Sequence, residues 1–220
     1  MPGVNVFENH VDDYEAWFEK NVFAYQSELR AIKTMVPEKG KGLEIGVGSG
    51  LFAAPLGIRF GIEPSRAMRE KARERGIDAM PGVAELLPFK DASFDFALMV
   101  TTVCFLDDID QAFREAYRVL RPAGAFIIGF VDKNSPVGKT YEARKNESLF
   151  YKEATFYSVD DLLAHLRNAG FMNFSFAQTL FKPGTGFNEI EPVKEGRGEG
   201  SFVVIKSEKQ PAGPHGQEQG

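Results

Sequence analysis

The stretch Leu43-Glu44-Ile45-Gly46-Val47-Gly48-Ser49-Gly50, continued by Leu51-Phe52-Ala53-Ala54, decides the fold. An apolar run leads into three glycines at alternate positions, and a helix-compatible apolar run leaves them. That order reads as a strand over Leu43 to Val47, a tight turn, and a short helix over Gly50 to Leu56, stopped near Pro55 and Gly57. Glycine has no Cβ, so the chain can turn with φ > 0 and a ligand can lie against the main chain. A helix starting at the turn points free N–H groups at that ligand. Residues 43–50 therefore announce a flat, polar, nucleoside-like ligand without saying which one.

Downstream, strands and helices alternate. Ile58 to Ile62 reads as a second strand ending in Glu63-Pro64-Ser65, and Ser65 caps a helix from Arg66 to Arg75 that Gly76 ends. The cations of that helix interleave with Glu70 and Glu74, and Arg66 and Glu70 stand at i,i+4 spacing, so it reads as a solvated outer face. Ile77 to Met80 is a short third strand. Phe94 to Thr101 is nearly continuously apolar, as a strand covered on both faces must be. Asp107 or Asp108 caps a helix to about Leu120, and Ala125 to Val131 is a fifth strand. Such alternation implies a parallel sheet with helices on both sides and right-handed crossovers. Ligands bind such sheets beyond the carboxyl ends of the strands. The glycine turn, Glu63, Ala84 and Thr101 all fall just past strand ends, so four loops converge on one edge.

The flanks are less regular. Residues 1–8 read as an unanchored start, and Asn9 with Asp12 resembles a capping box. Val11, Tyr14, Phe18, Val22, Tyr25, Leu29 and Ile32 then mark one helical face, which Asn21 divides into two helices. Two compatible readings stand: a helical layer on the core, and a lid with Tyr14 or Trp17 against the ligand. Residues 132–157 interrupt the alternation with a polar helix over Lys139 to Leu149, then Phe150, Tyr151, Phe156 and Tyr157. This insertion reads as a substrate cap or a peripheral helix. Ser158 caps a helix to Ala169, Phe171 to Leu180 is a sixth strand, residues 181–200 a long connection, and Ser201 to Lys206 a seventh strand. The expected organisation is a helical cap over 1–36, a main domain over 37–207 and a disordered tail over 208–220.

Composition narrows the function. With 43% hydrophobic residues and 20 Phe in 220, a large core is available. A net charge of −5 argues against a general nucleic-acid or membrane-surface binder, which needs a basic face. The single cysteine, Cys104, excludes an internal disulfide and suits a reducing compartment. Met1-Pro2-Gly3-Val4-Asn5 lacks the basic and apolar regions of a signal peptide, and no apolar run reaches the ~20 residues that span a bilayer. A cytoplasmic protein is expected. Cys and His are too few and too scattered for a zinc site, and no metal is expected.

Four segments, in order, carry a resemblance. Glu44-x-Gly46-x-Gly48-x-Gly50 resembles the first motif of class I S-adenosylmethionine-dependent methyltransferases. Gly61-Ile62-Glu63-Pro64-Ser65 looks like their second-strand motif. Gly82-Val83-Ala84-Glu85-Leu86-Leu87-Pro88-Phe89 with Ser93-Phe94-Asp95 resembles the small-molecule branch typified by quinone-biosynthesis methyltransferases. Arg114 to Gly124 is similar to the helix and turn before their fifth strand. The resemblance implies a Rossmann-like, seven-stranded, mostly parallel α/β sheet with the last strand antiparallel. It implies S-adenosylmethionine as cofactor and a small-molecule acceptor. Gly46, Gly48 and Gly50 would lie along the methionyl part. Glu44 would hold its ammonium, or serve only to support the loop. Glu63, beside Pro64, would accept both ribose hydroxyls, Ala84 N–H would meet adenine, and Thr101 and Tyr14 would line the pocket. Val83 stands where relatives carry an acid for the adenine amino group, which leaves that contact to Glu85 or to none. Leu106-Asp107-Asp108 replaces the paired histidines of many relatives, and no catalytic base is assigned. Tyr14, Asp107, Tyr141, Tyr151 and Tyr157 are candidates for the acceptor side.

Two rival readings remain at this point. A nicotinamide-dependent oxidoreductase would want a small residue where Leu51 stands. A nucleoside-binding protein without turnover would keep the pocket and lack an acceptor cavity.

Overall fold

The structure, a computed structural model, describes residues 4–184 and 186–211. Its sheet contains β1 (Gly42–Ile45), β2 (Phe60–Ile62), β3 (Asp78–Met80), β4 (Phe94–Val100), β5 (Leu120–Val131), β6 (Phe171–Thr179), β7 (Lys194–Glu195) and β8 (Phe202–Lys209). The strand order is β3-β2-β1-β4-β5-β8-β6-β7. The first five strands pair in parallel. β8 inserts antiparallel between β5 and β6. From β1 the chain builds outward to β3 on one side and then restarts at β4 on the other. That reversal opens a crevice past the carboxyl ends of β1 and β4.

The continuous apolar run of β4 has a simple cause. Ala97 and Met99 enter one core layer while Phe96, Leu98 and Val100 enter the other. The first layer lies under α5 (Ile109–Val119) and α7 (Val159–Asn168), through Phe113, Ala116 and Leu162. The second lies under α2 (Val11–Lys20), α3 (Val22–Lys33) and α4 (Arg66–Glu74), through Phe18, Ile32 and Ala72. Several of the helix starts are capped by side chains: Ser65, Asp108 and Ser158 each accept a backbone N–H, and Ser158 with Asp161 forms a full capping box. Asn21 divides α2 from α3, and its Nδ2 donates to Trp17 O at 2.8 Å.

Several expectations change. The sheet has an eighth strand, because Lys194 and Glu195 pair with Gln178 and Ala177 at its edge; two residues are too few to leave a periodic pattern. No helix follows the glycine turn. Residues 51–57 are consecutive turns, in which Pro55 supplies no N–H and Gly57 takes φ +70°. The start is anchored rather than loose: α1 (Val4–Asn9) docks through Glu8, whose carboxylate accepts from Ser65 Oγ at 2.7 Å and Ala67 N–H at 3.2 Å. Asn9 caps nothing and donates back to Asn5 O, so α2 begins after His10 without a side-chain cap. The inserted helix begins earlier than its polar run, at Ser135, as α6 (Pro136–Ala143). Glu208 and Lys209, expected in the tail, finish β8, and residues 1–3 and 212–220 lie outside the described residues. Among the described residues no helix is long and apolar enough to cross a membrane, and no cluster of candidate metal ligands is found.

Candidate cofactor and acceptor cleft

The glycine turn is pinned to β2: Gly46 N–H and Val47 N–H donate to Ile62 O at 2.8 and 3.0 Å. Gly46, Gly48 and Gly50 take φ +73°, +53° and +87°. A Cβ on Gly46 would lie 2.3 Å from Thr102 Cγ2, and one on Gly48 would reach within 3.4 Å of the Tyr14 hydroxyl. The turn is thus a backbone surface by necessity. Glu63 stands beside it, accepting from Gly48 N–H at 3.1 Å and from Ser65 N–H at 2.9 Å. Burial raises its pKa, and those two N–H groups moderate the rise. Arg69 fixes the loop from behind by donating to Glu63 O and Pro64 O, both at 2.7 Å.

A cleft of about 1040 Å³, counting its open mouth, runs over this surface. Of the expected site residues it is lined by Tyr14, Gly46, Gly48, Glu63, Pro64 and Thr101. The others stand back. Gly50 packs toward Ala72 and Ile77. Ala84 is buried in the core. The Glu85 carboxylate faces the next loop instead, accepting from Asp107 N–H at 2.9 Å. Glu44 is buried beneath the turn, where its Oε2 has no hydrogen-bond partner and its pKa is driven well up by burial and then by neighbouring Glu63.

The other half of the cleft is aromatic. Phe18, Tyr14, Phe7, Phe105 and Tyr151 form an unbroken series of ring contacts, with centroids 5.0 to 5.9 Å apart, and Tyr141 continues it at 5.3 Å from Tyr151. Phe150 stacks on Phe7 at 5.4 Å. These rings come from α1, α2, the turn after β4 and the segment after β5. Burial raises the Tyr14, Tyr141 and Tyr151 hydroxyls, so all three are neutral donors. A smaller cavity of about 330 Å³ continues behind them, sharing Thr101, Val131, Tyr141 and Tyr151 and reaching Tyr157. Thr101 takes φ +50° where the two meet. Asp107 lines neither cavity. Cys104 is a buried packing residue, its thiol pushed up to about 12 by desolvation.

Sequence reasoning missed Phe7, Phe105 and, above all, Glu28. The Glu28 side chain lines the cleft at 5% exposure. A signal was present: Tyr25, Glu28 and Ile32 fall at i, i+3 and i+7, so a carboxylate sits on the buried stripe of α3.

The chain's residues fit a nucleoside that carries an aliphatic ammonium. The backbone of Gly46 and Gly48 is open, the Glu63 carboxylate suits a vicinal diol, and the orphaned oxygen of Glu44 lies under the same turn. Comparison with known proteins agrees. A methyltransferase-domain family model matches residues 43–128. A solved S-adenosylmethionine-dependent methyltransferase from Thermotoga maritima, described as a possible histamine N-methyltransferase, is 53% identical with a TM-score of 0.91, covering 94% of this chain and 99% of that one. An uncharacterized protein of Methanocaldococcus jannaschii is 44% identical over 94% of this chain and its own full length. A demethylmenaquinone methyltransferase of Roseiflexus is 37% identical over 39% of this chain and 40% of its own. By glycine turn, strand order and these likenesses, the chain belongs to the class I S-adenosylmethionine-dependent methyltransferases.

Proposed function

We propose that this chain transfers a methyl group to a small-molecule acceptor held in the aromatic half of the cleft. The observation that carries the reading is continuity: one cleft joins the Gly46–Gly48 backbone and Glu63 to the chamber walled by Phe7, Phe105, Tyr141 and Tyr151. That chamber also favours turnover over mere nucleoside binding, since a binding protein needs no second compartment. S-Adenosylmethionine, when bound, supplies an electrophilic methyl on a sulfonium with a good leaving group.

The chain's own residues bind and orient. Gly46 and Gly48 present main chain to the methionyl part, and Glu44 and Glu63 present carboxylates to the ammonium and the ribose. The half-buried rings exclude water and fix the acceptor in line, a positioning effect that reaches ~7–11 kcal/mol in well-oriented systems. Residues 132–157 serve as the substrate cap in this reading, because Tyr141, Phe150 and Tyr151 all line the cleft. The likeness to the Thermotoga protein supports a small nitrogen-containing acceptor.

Calorimetry with S-adenosylhomocysteine tests the donor half. Glu63→Ala removes the carboxylate offered to both ribose hydroxyls, two charge-assisted bonds each worth about 1.5 kcal/mol or more, and weakens binding by about 100-fold. Unchanged affinity in that variant, or tight binding of NADH in place of S-adenosylhomocysteine, overturns the reading. A screen of amine, hydroxyl and thiol acceptors with labelled methyl donor tests the other half.

A further inference from the structure

Glu28 and Glu63 line the same cleft from different elements. Glu63 follows β2, while Glu28 lies on α3, which packs on β5, β6 and β8. Three inter-strand steps separate β2 from β5, about 14 Å at the usual spacing. Val131, the last residue of β5, also lines the cleft. The cleft therefore has a second carboxylate besides Glu63, and its charge reaches Tyr141 and Tyr151 of the aromatic half.

Glu28 has the features of a group waiting for a ligand. It is 95% removed from solvent, since only 5% of its surface is exposed, yet it lines the cleft. No hydrogen bond or ion pair to it is found among the described residues. The groups that feel its charge are the hydroxyls of Tyr14 on α2, Tyr25 on α3, Tyr141 on α6 and Tyr151, all kept neutral by burial. Nothing offsets desolvation, which raises its pKa to about 8. An unpartnered carboxylate is costly to bury, and aromatic faces attract cations, so a carboxylate facing rings fits a protonated nitrogen. An alcohol or thiol would use neither the charge nor the ring faces.

Building on the methyl-transfer reading above, we propose that Glu28 is the acceptor-side catalytic residue, binding the ammonium group of a small amine and taking its proton. In that step one N–H bond of the ammonium breaks, an O–H bond forms on Glu28, and the electron pair stays on nitrogen as the lone pair that methylation requires. Methylation returns the nitrogen to a cation, which leaves as the product, and Glu28 then gives its proton to solvent. One proton is released per methyl transferred.

The shared proton makes binding pH-dependent in a specific way. Below about pH 8 the empty site holds a proton on Glu28 and the free amine is an ammonium, so forming the complex expels one proton. Affinity then rises ~10-fold per pH unit, levels off between about 8 and the amine's own pKa near 10, and falls above it. The experiment is calorimetry on the full chain saturated with S-adenosylhomocysteine, in buffers of different ionisation enthalpy. The probes are 2-phenylethylamine, histamine and tryptamine, with 2-phenylethanol as the uncharged control. We expect at least one amine to follow the bell-shaped profile with release of one proton at neutral pH, and the alcohol to bind more weakly without pH dependence. Glu28→Gln abolishes both the profile and the proton release while keeping S-adenosylhomocysteine affinity. Failure of S-adenosylhomocysteine to bind counts against the methyl-transfer reading itself. Normal S-adenosylhomocysteine binding with no amine bound, a flat wild-type profile, or an unchanged profile in Glu28→Gln overturns the assignment of Glu28. The wild-type profile decides the matter even if the variant folds poorly.

Discussion

At the scale of single residues, two positions carry measurable consequences. Glu28 ionises near 4.5 when unfolded and at about 8 when folded, so the folded chain holds an extra proton between those values. Stability therefore falls as pH rises through that window and levels off above it. Each unit of displacement is worth about 1.4 kcal/mol, so the slope is visible in urea midpoints. Glu28→Gln removes this part of the slope, leaving the variant more stable than the wild type at about pH 9. The same slope in both proteins would mean that Glu28 is not buried as described. At Gly46, alanine must accept φ +73° and a Cβ 2.3 Å from Thr102 Cγ2. Gly46→Ala should cost about 3 kcal/mol or more in chemical denaturation and abolish S-adenosylhomocysteine binding.

At the scale of elements, α1 is the clearest case of structure that sequence does not announce. Its six residues contain no cap and too few turns for a periodic face, and its anchor, Glu8, acts on α4 more than fifty positions away. Its hydrogen bonds to Ser65 and Ala67 hold the Glu8 carboxyl below its ordinary value. That contribution is complete above about pH 4.5 and is lost as pH falls through the lower folded value. Acidification should expose α1 to proteolysis before the sheet unfolds, and Glu8→Ala should reproduce this at neutral pH. Equal cleavage of the two proteins at neutral pH would show that α1 is held by its apolar contacts, Phe7 among them, without the Glu8 anchor. By contrast, β1 to β5, α4, α5 and α7 were legible, because caps such as Ser65 and Ser158 and the two-sided apolar run of β4 are local signals. Residues 50–57 were misread because an apolar run after glycines looks helical until the Pro55 and Gly57 backbone is taken into account. The cleft was half legible. Its donor side follows a strand–turn motif, while Glu28, Phe7 and Phe105 meet only through tertiary structure.

At the scale of the molecule, the cleft joins segments far apart in the chain: α1 to α3, the loops after β1, β2 and β4, and the segment after β5. A ligand that binds there stabilises all of them together. S-Adenosylhomocysteine at about 100 times its dissociation constant should add ~2.7 kcal/mol. For a chain of this size that raises Tm by roughly 5–10 °C. It should also slow proteolysis within residues 4–33 and 136–157. Stabilisation without that local protection would place the ligand away from the aromatic chamber.

The rings of that chamber have a further consequence. Phe7, Tyr14 and Glu28 precede residue 43, and Tyr141, Phe150 and Tyr151 follow residue 128, outside the stretch that matches the methyltransferase-domain family, while Phe105 lies within it. In the proposed reading most of the acceptor wall is thus carried by the flanks, and the donor surface by the middle of the chain. A chimera carrying this chain's flanks on a relative's residues 43–128 should keep this chain's acceptor preference.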